Sequence, residues 1–271
     1  MTTTRLRTHS LVSALLLLIL TSMSARAQDA DDFLSQLHSF RVSNYISLDA
    51  YYRFIGSGTT NTLNEIVAGI NSANDAMNLL TKSTSGVLTT EQIEALNKEF
   101  DRFKALMRDN INDVRNTGYP DLRLVSDMAN QALTMNDSAT ELYQIAQENS
   151  QTETSPRLEA ARMGAVKIAQ MMAKYSVRTN SSVAQTFQGS STEAPLDEQA
   201  RVFDQLLAIV VKGQNDDELD VILNDAAAKW QFIRGSYINY NENNVGFVID
   251  RYSKRILESL TTVIGLLQQK A

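Results

Sequence analysis

A hydrophobic period of three and four residues recurs along most of this chain and constrains its fold more than any other feature. Between residues 63 and 80 it reads Leu63, Ile66, Ile70, Ala73, Met77, Leu80. Such steps place the side chains on one stripe of an α-helix, and the stripe must be buried against a neighbour. Ile93, Leu96, Phe100, Phe103, Met107 and Val114 repeat it with a spacing close to a heptad seam, which favours packing at about 20°. Further stripes run through Leu122, Val125, Ala129 and Ala132, through Leu158, Ala161, Ala165 and Ile168, and through Phe203, Leu206 and Val210. Two more follow, Leu219, Ile222, Ala226, Trp230, Ile233, Tyr237 and then Val248, Tyr252, Ile256, Leu260, Val263, Leu267. The chain has only three prolines. The expected fold is all-α, an elongated up-and-down bundle of about six to eight helices.

Turn and cap signals divide the stripes. Gly56-Ser57-Gly58 is either a kink in one long helix or a break between two. Thr89-Thr90-Glu91-Gln92 fits a capping box, with Thr89 as the cap and Gln92 reaching back. Asn116-Thr117-Gly118 ends the helix that follows, and Pro120, Pro156 and Pro195 each mark a new start. Asn215 is expected to cap the Trp230 helix, with Asp216, Asp217 and Glu218 in its first turn, where the dipole favours acids. The polar stretch 148–155 is the expected boundary between an N-terminal bundle, 28–150, and a C-terminal bundle, 151–271. Glu99-Phe100-Asp101 is faintly echoed by Val202-Phe203-Asp204, so two related bundles in tandem are a variant of the fold.

The first 27 residues have the layout of a secretory signal peptide. Arg5, Arg7 and His9 form a positive end, Leu11 to Leu20 an apolar run of about ten residues, and Ala25-Arg26-Ala27 a small-residue cleavage site. The run is too short for a comfortable membrane span. Cleavage before Gln28 would release a periplasmic or secreted chain with no membrane span, and would take the formal charge from −6 to −9. An acidic protein is a poor partner for nucleic acid, because phosphate contacts need clustered Lys and Arg. The absence of cysteine removes thiolate catalysis and Cys-ligated metal.

No residue pattern calls for an enzyme. Past the leader the one histidine is His38, read as a surface residue on the first helix. One His cannot supply a paired-ligand metal site, and nothing marks a catalytic partner for it. The clusters Asp29, Asp31, Asp32 and Asp216, Asp217, Glu218 lack the alternating ligands and central Gly of a calcium loop. Glu-x-x-His pairs of a di-metal bundle are absent as well. No cofactor or metal is expected. The asparagines Asn61, Asn64, Asn71, Asn74 and Asn78 either face solvent or bond across a shared surface.

Four stretches carry a family resemblance. Val166 to Lys174 reads VKIAQMMAK, in which Ile168, Ala169, Gln170, Met172, Ala173 and Lys174 fit a helix of approximate pattern RMLSQRMAK. Val202-Phe203-Asp204-Gln205-Leu206-Leu207, Ala227-Ala228-Lys229-Trp230 and Tyr252-Ser253-Lys254-Arg255-Ile256-Leu257 follow in the same order. Over under half its length the chain thus resembles the N-terminal sensory domain of type IV pilus methyl-accepting chemotaxis transducers, a periplasmic bundle akin to nitrate-sensor input domains. Both arginines of the pattern are replaced, by Val166 and Met171, and Arg162, one turn earlier, is the candidate substitute. The resemblance implies a sensory-type bundle without its transmembrane and output parts, linked to pili or chemotaxis. The expected function is a non-enzymatic binding module for a small anionic ligand or an envelope protein partner, with a homodimer allowed. A structural scaffold or adaptor without a small ligand is the alternative. The candidate ligand-binding residues are Arg162, Lys167, Gln170, Tyr175 and Trp230.

Overall fold

The computed structural model describes residues 3–83, 85–150, 154–180, 194–213, 215–242 and 244–270, with side chains from residue 29 onward. Among these residues there are eight helices and no strand: α1 (Thr3–Ser57), α2 (Thr60–Lys82), α3 (Thr90–Thr117), α4 (Leu122–Asn149), α5 (Pro156–Asn180), α6 (Leu196–Val211), α7 (Asp217–Ile238) and α8 (Gly246–Gln269). The all-α bundle read from the periodicity is therefore present. No helix within the described residues is long and apolar enough to cross a membrane.

The ends of the helices follow local chemistry. Gly56-Ser57-Gly58 is a break: Gly58 takes φ +60° and its N–H donates to the Phe54 carbonyl at 2.8 Å, closing α1. Thr59 then caps α2. The capping box at Thr89 is complete, with Gln92 N–H on the Thr89 hydroxyl at 3.3 Å and Thr89 N–H on Gln92 Oε1 at 2.9 Å. Gly118, at φ +80°, ends α3 in the left-handed conformation that L side chains disfavour. Asp121 caps α4 through the N–H groups of Arg123 and Leu124. The cap of α7 is Asp216, not the expected Asn215: Asp216 Oδ1 accepts from Leu219 N–H at 3.0 Å, while Asn215 turns its amide toward Asp220 and Arg157. A carboxylate is the better partner for the positive end of the helix.

Helices α1, α2, α3 and α4 pack each against the next, with α4 returning to α1; α5, α6, α7 and α8 do the same, with α8 returning to α5. Helices α1 and α5 join the two rings and run parallel. Arg162 Nη2 donates to Ser35 Oγ and Ser176 Oγ to Asp49 Oδ1, and both pairs are 127 residues apart in sequence. The buried residues of both rings form one continuous cluster. Phe40 meets Phe100 edge to face at 5.1 Å, and Phe203 meets Trp230 at 4.5 Å. Full burial of each such ring contributes about 1.5–3 kcal/mol. Asn61, Asn64, Asn71 and Asn78 of α2 face solvent, while Asn74 accepts from Lys104 of α3 at 3.3 Å, so the run divides between the two alternatives.

Candidate functional site

The seam between α1 and α5 is polar, which is unusual for the middle of a helical protein. At one level Arg162 is fully buried, with Nη2 on Asp31 Oδ1 and Ser35 Oγ, both at 2.9 Å, and Nη1 on Glu159 Oε1 at 3.1 Å. Gln268 of α8 donates to Asp31 Oδ2 at 2.9 Å, and Tyr143 of α4 donates to Glu159 at 2.9 Å. Burial alone would lower the Arg162 pKa, but Tyr143, Asp31 and Glu159 outweigh it and hold the guanidinium charged. Arg162 is thus locked into an internal network and does not face a cavity.

His38 lies in the same layer. It is buried, 8 % exposed, which corrects its reading as a surface histidine. Desolvation, with help from the charges of Arg41 and Arg162, lowers its pKa to about 3, so the ring is neutral. Its Nδ1 has no hydrogen-bond partner. Three turns further along α1, Asp49 is also buried. Burial raises its pKa, opposed by Arg53 and by the hydrogen bond from Ser176. Arg53 in turn pairs with Asp49, Glu65 and Asp250, and Lys254 joins Glu65 at 2.9 Å. These networks tie five helices together, α1, α2, α4, α5 and α8; each carboxylate in them already has a cation.

Alongside the Asp49–Ser176 level, α1, α4 and α5 leave a cleft of about 80 Å³. Tyr45, Leu48 and Tyr52 of α1 form one wall, Ala132, Leu133 and Asn136 of α4 a second, and Gln170, Ala173, Lys174 and Val177 of α5 the third. Asn136 is 2 % exposed, and neither Oδ1 nor Nδ2 of its side chain has a hydrogen-bond partner. A buried amide without partners loses its hydration for nothing in return, so such groups in native structures call for an explanation. Lys167 donates to Gln170 Oε1 at 2.8 Å and orients that amide, and Lys174 Nζ donates to the Ala194 carbonyl at 2.8 Å. Lys174 is the charged residue of the lining.

The structure thus places the five sequence candidates apart. Gln170 lines the cleft and Lys167 holds it from behind. Tyr175 and Trp230 belong to an aromatic core. Tyr175 meets Tyr237 at 5.6 Å and accepts from Val245 N–H at 3.2 Å. Trp230 Nε1 donates to Asp204 Oδ1 at 2.7 Å, and the Arg234 guanidinium grips the same carboxylate. Arg162 lies one layer away in the ionic seam. Sequence reasoning missed Asn136. Its signal was present: in the run Ala132, Asn136, Ala139, Tyr143 an amide takes a place on the buried stripe. Among the described residues no group of three or more His, Asp or Glu is placed to hold a metal ion. No protein-family model, curated protein or solved structure matches this chain.

Proposed function

We propose that this chain is a non-enzymatic, sensory-type binding module that works in the periplasm or outside the cell and takes a small polar ligand between α1, α4 and α5. The observation that carries this reading is Asn136, a buried amide on the wall of a cleft with both hydrogen-bonding ends unmet. The leader-like first 27 residues support export. Ala30 and Phe33 are already buried in the core, so a chain starting at Gln28 would begin just ahead of its packed part. The resemblance to pilus-transducer sensory domains supports a link to chemotaxis or type IV pilus signalling, with an envelope protein as the partner that reads the ligand.

Thermal melts of the purified chain against a panel of small carboxylates, amides, amino acids and inorganic anions test the binding reading. Ligand bound only by the folded state raises the melting temperature. At least one compound is expected to raise it, and Asn136→Leu is expected to lose that response. A flat panel, or a response unchanged in the variant, would overturn the reading. N-terminal sequencing of the exported chain tests the location, with Gln28 as the expected first residue.

A further inference from the structure

We infer that the ligand of the α1–α4–α5 cleft is a small carboxylate with a short apolar tail, hydrogen-bonded by Asn136, its charge facing Lys174, with Arg41 one turn beyond the cleft wall. This rests on the reading of the cleft as a binding site. A comparison inside the molecule shows that packing does not demand the amide. The buried positions Val125, Ala132, Asn136 and Ala139 of α4 recur as Ile249, Ile256, Leu260 and Val263 of α8. Where α4 carries Asn136, α8 carries Leu260, which is buried, with Cδ1 3.6 Å from the point where a Cβ on Gly164 of α5 would lie. In this shared spacing a leucine stands in α8 where the unpartnered amide stands in α4.

Charge selects the ligand. No acidic residue lines the cleft, and Lys174 does. Arg41 lies one turn before Tyr45, stacks on the Tyr143 ring at 4.9 Å and is 7 % exposed. It forms no ion pair among the described residues, and its Nε has no hydrogen-bond partner. The nearest carboxylate that acts on it, Glu159, is already bonded to Arg162 and Tyr143. Arg41 stands outside the lining, one turn beyond Tyr45, and adds its positive charge to that of Lys174 from there. An amino acid would bring an ammonium group to a cleft without a carboxylate. An inorganic anion would gain nothing from Leu48, Ala132 and Val177. A volume of about 80 Å³ is roughly half that of a cavity that holds benzene, so the cleft suits a molecule smaller than benzene.

Calorimetric titration of the purified chain with propionate, propionamide and nitrate tests this. Propionate is expected to bind at least tenfold more tightly than either of the others. Asn136→Leu is expected to weaken propionate at least tenfold with the far-ultraviolet spectrum unchanged, and Arg41→Gln to narrow the propionate-to-propionamide ratio. If Asn136→Leu does not fold, Asn136→Ala, which removes the amide and adds no bulk, serves in its place. Propionamide or nitrate binding as tightly as propionate, and lost in the Asn136 variant, would overturn the carboxylate and leave the cleft as the site. Propionate binding that the Asn136 variant does not alter would overturn both. Absence of propionate binding overturns the carboxylate, and the wider melt panel then decides the site.

Discussion

Asn136 on α4 and Leu260 on α8 occupy corresponding buried positions, yet Leu260 packs against its neighbours while the Asn136 amide meets no hydrogen-bond partner. The first prediction follows from that contrast. Without ligand, Asn136→Leu removes two unmet polar groups and adds apolar contact. It should raise stability by about 1–3 kcal/mol, read from urea unfolding at neutral pH. A loss of stability would mean that the amide has a structural partner.

Two glycines in helices should respond in opposite directions to the same substitution. A Cβ on Gly69 would lie 2.5 Å from Ser47 Oγ and 3.2 Å from the Ser47 backbone nitrogen, because α2 crosses α1 there at close range. On Gly164 the nearest atom would be 3.6 Å away, an ordinary contact. Alanine gains about 1 kcal/mol of helix propensity at either site. Gly164→Ala should keep most of that gain. Gly69→Ala should lose about 1–2 kcal/mol net, because overpacking outweighs propensity. Paired melts of the two variants check this.

His38 gives the chain a defined acid sensitivity. Its folded pKa is depressed from 6.5 to about 3 by burial and by the nearby Arg41 and Arg162. The unfolded chain therefore takes up a proton below pH 6.5 that the folded chain refuses until about pH 3. Stability from this residue is intact above pH 6.5 and falls as pH drops through that window, by about 2 kcal/mol at pH 5. Unfolding measured at pH 7 and pH 5 on the wild type and on His38→Met should show this loss in the first and not in the second.

Arg162 should prove structural. Arg162→Met strands Asp31 and Glu159 in the α1–α5 seam. Breaking a buried ion pair costs about 3–5 kcal/mol. The low end, about 3 kcal/mol, is expected, because the Asp31 side chain keeps 30 % exposure and its bond from Gln268. Arg162→Lys should recover part of this, since one ammonium reaches only some of the acceptors Asp31, Ser35 and Glu159. Ligand binding measured on folded Arg162→Lys should match the wild type.

The helices were legible in the sequence because each stripe repeats over several turns, and the caps because Thr89 and Gly118 act on their immediate neighbours. The Asn215 cap failed by one residue, as two adjacent polar side chains competed for the same N–H groups and the carboxylate won. His38 was misread for a different reason. A lone polar residue on an apolar stripe looks exposed until a second helix covers it, and α5 does so only through the parallel pairing with α1. Gln170 and Lys167 were named as candidates because they lie in the stretch that carries the family resemblance. Asn136 and Arg41 were not, since an unmet hydrogen bond becomes visible only when every neighbour has been placed.

The central claim is that the Asn136 amide waits for a ligand. The side-chain NH₂ resonances of Asn136, identified as the pair absent from the spectrum of Asn136→Leu, report on it directly in a ¹⁵N-labelled chain. Titration with propionate should move this pair in a saturable manner and slow its exchange with water. Resonances that stay fixed while backbone signals elsewhere shift, or that do not respond at saturating propionate, would contradict the account.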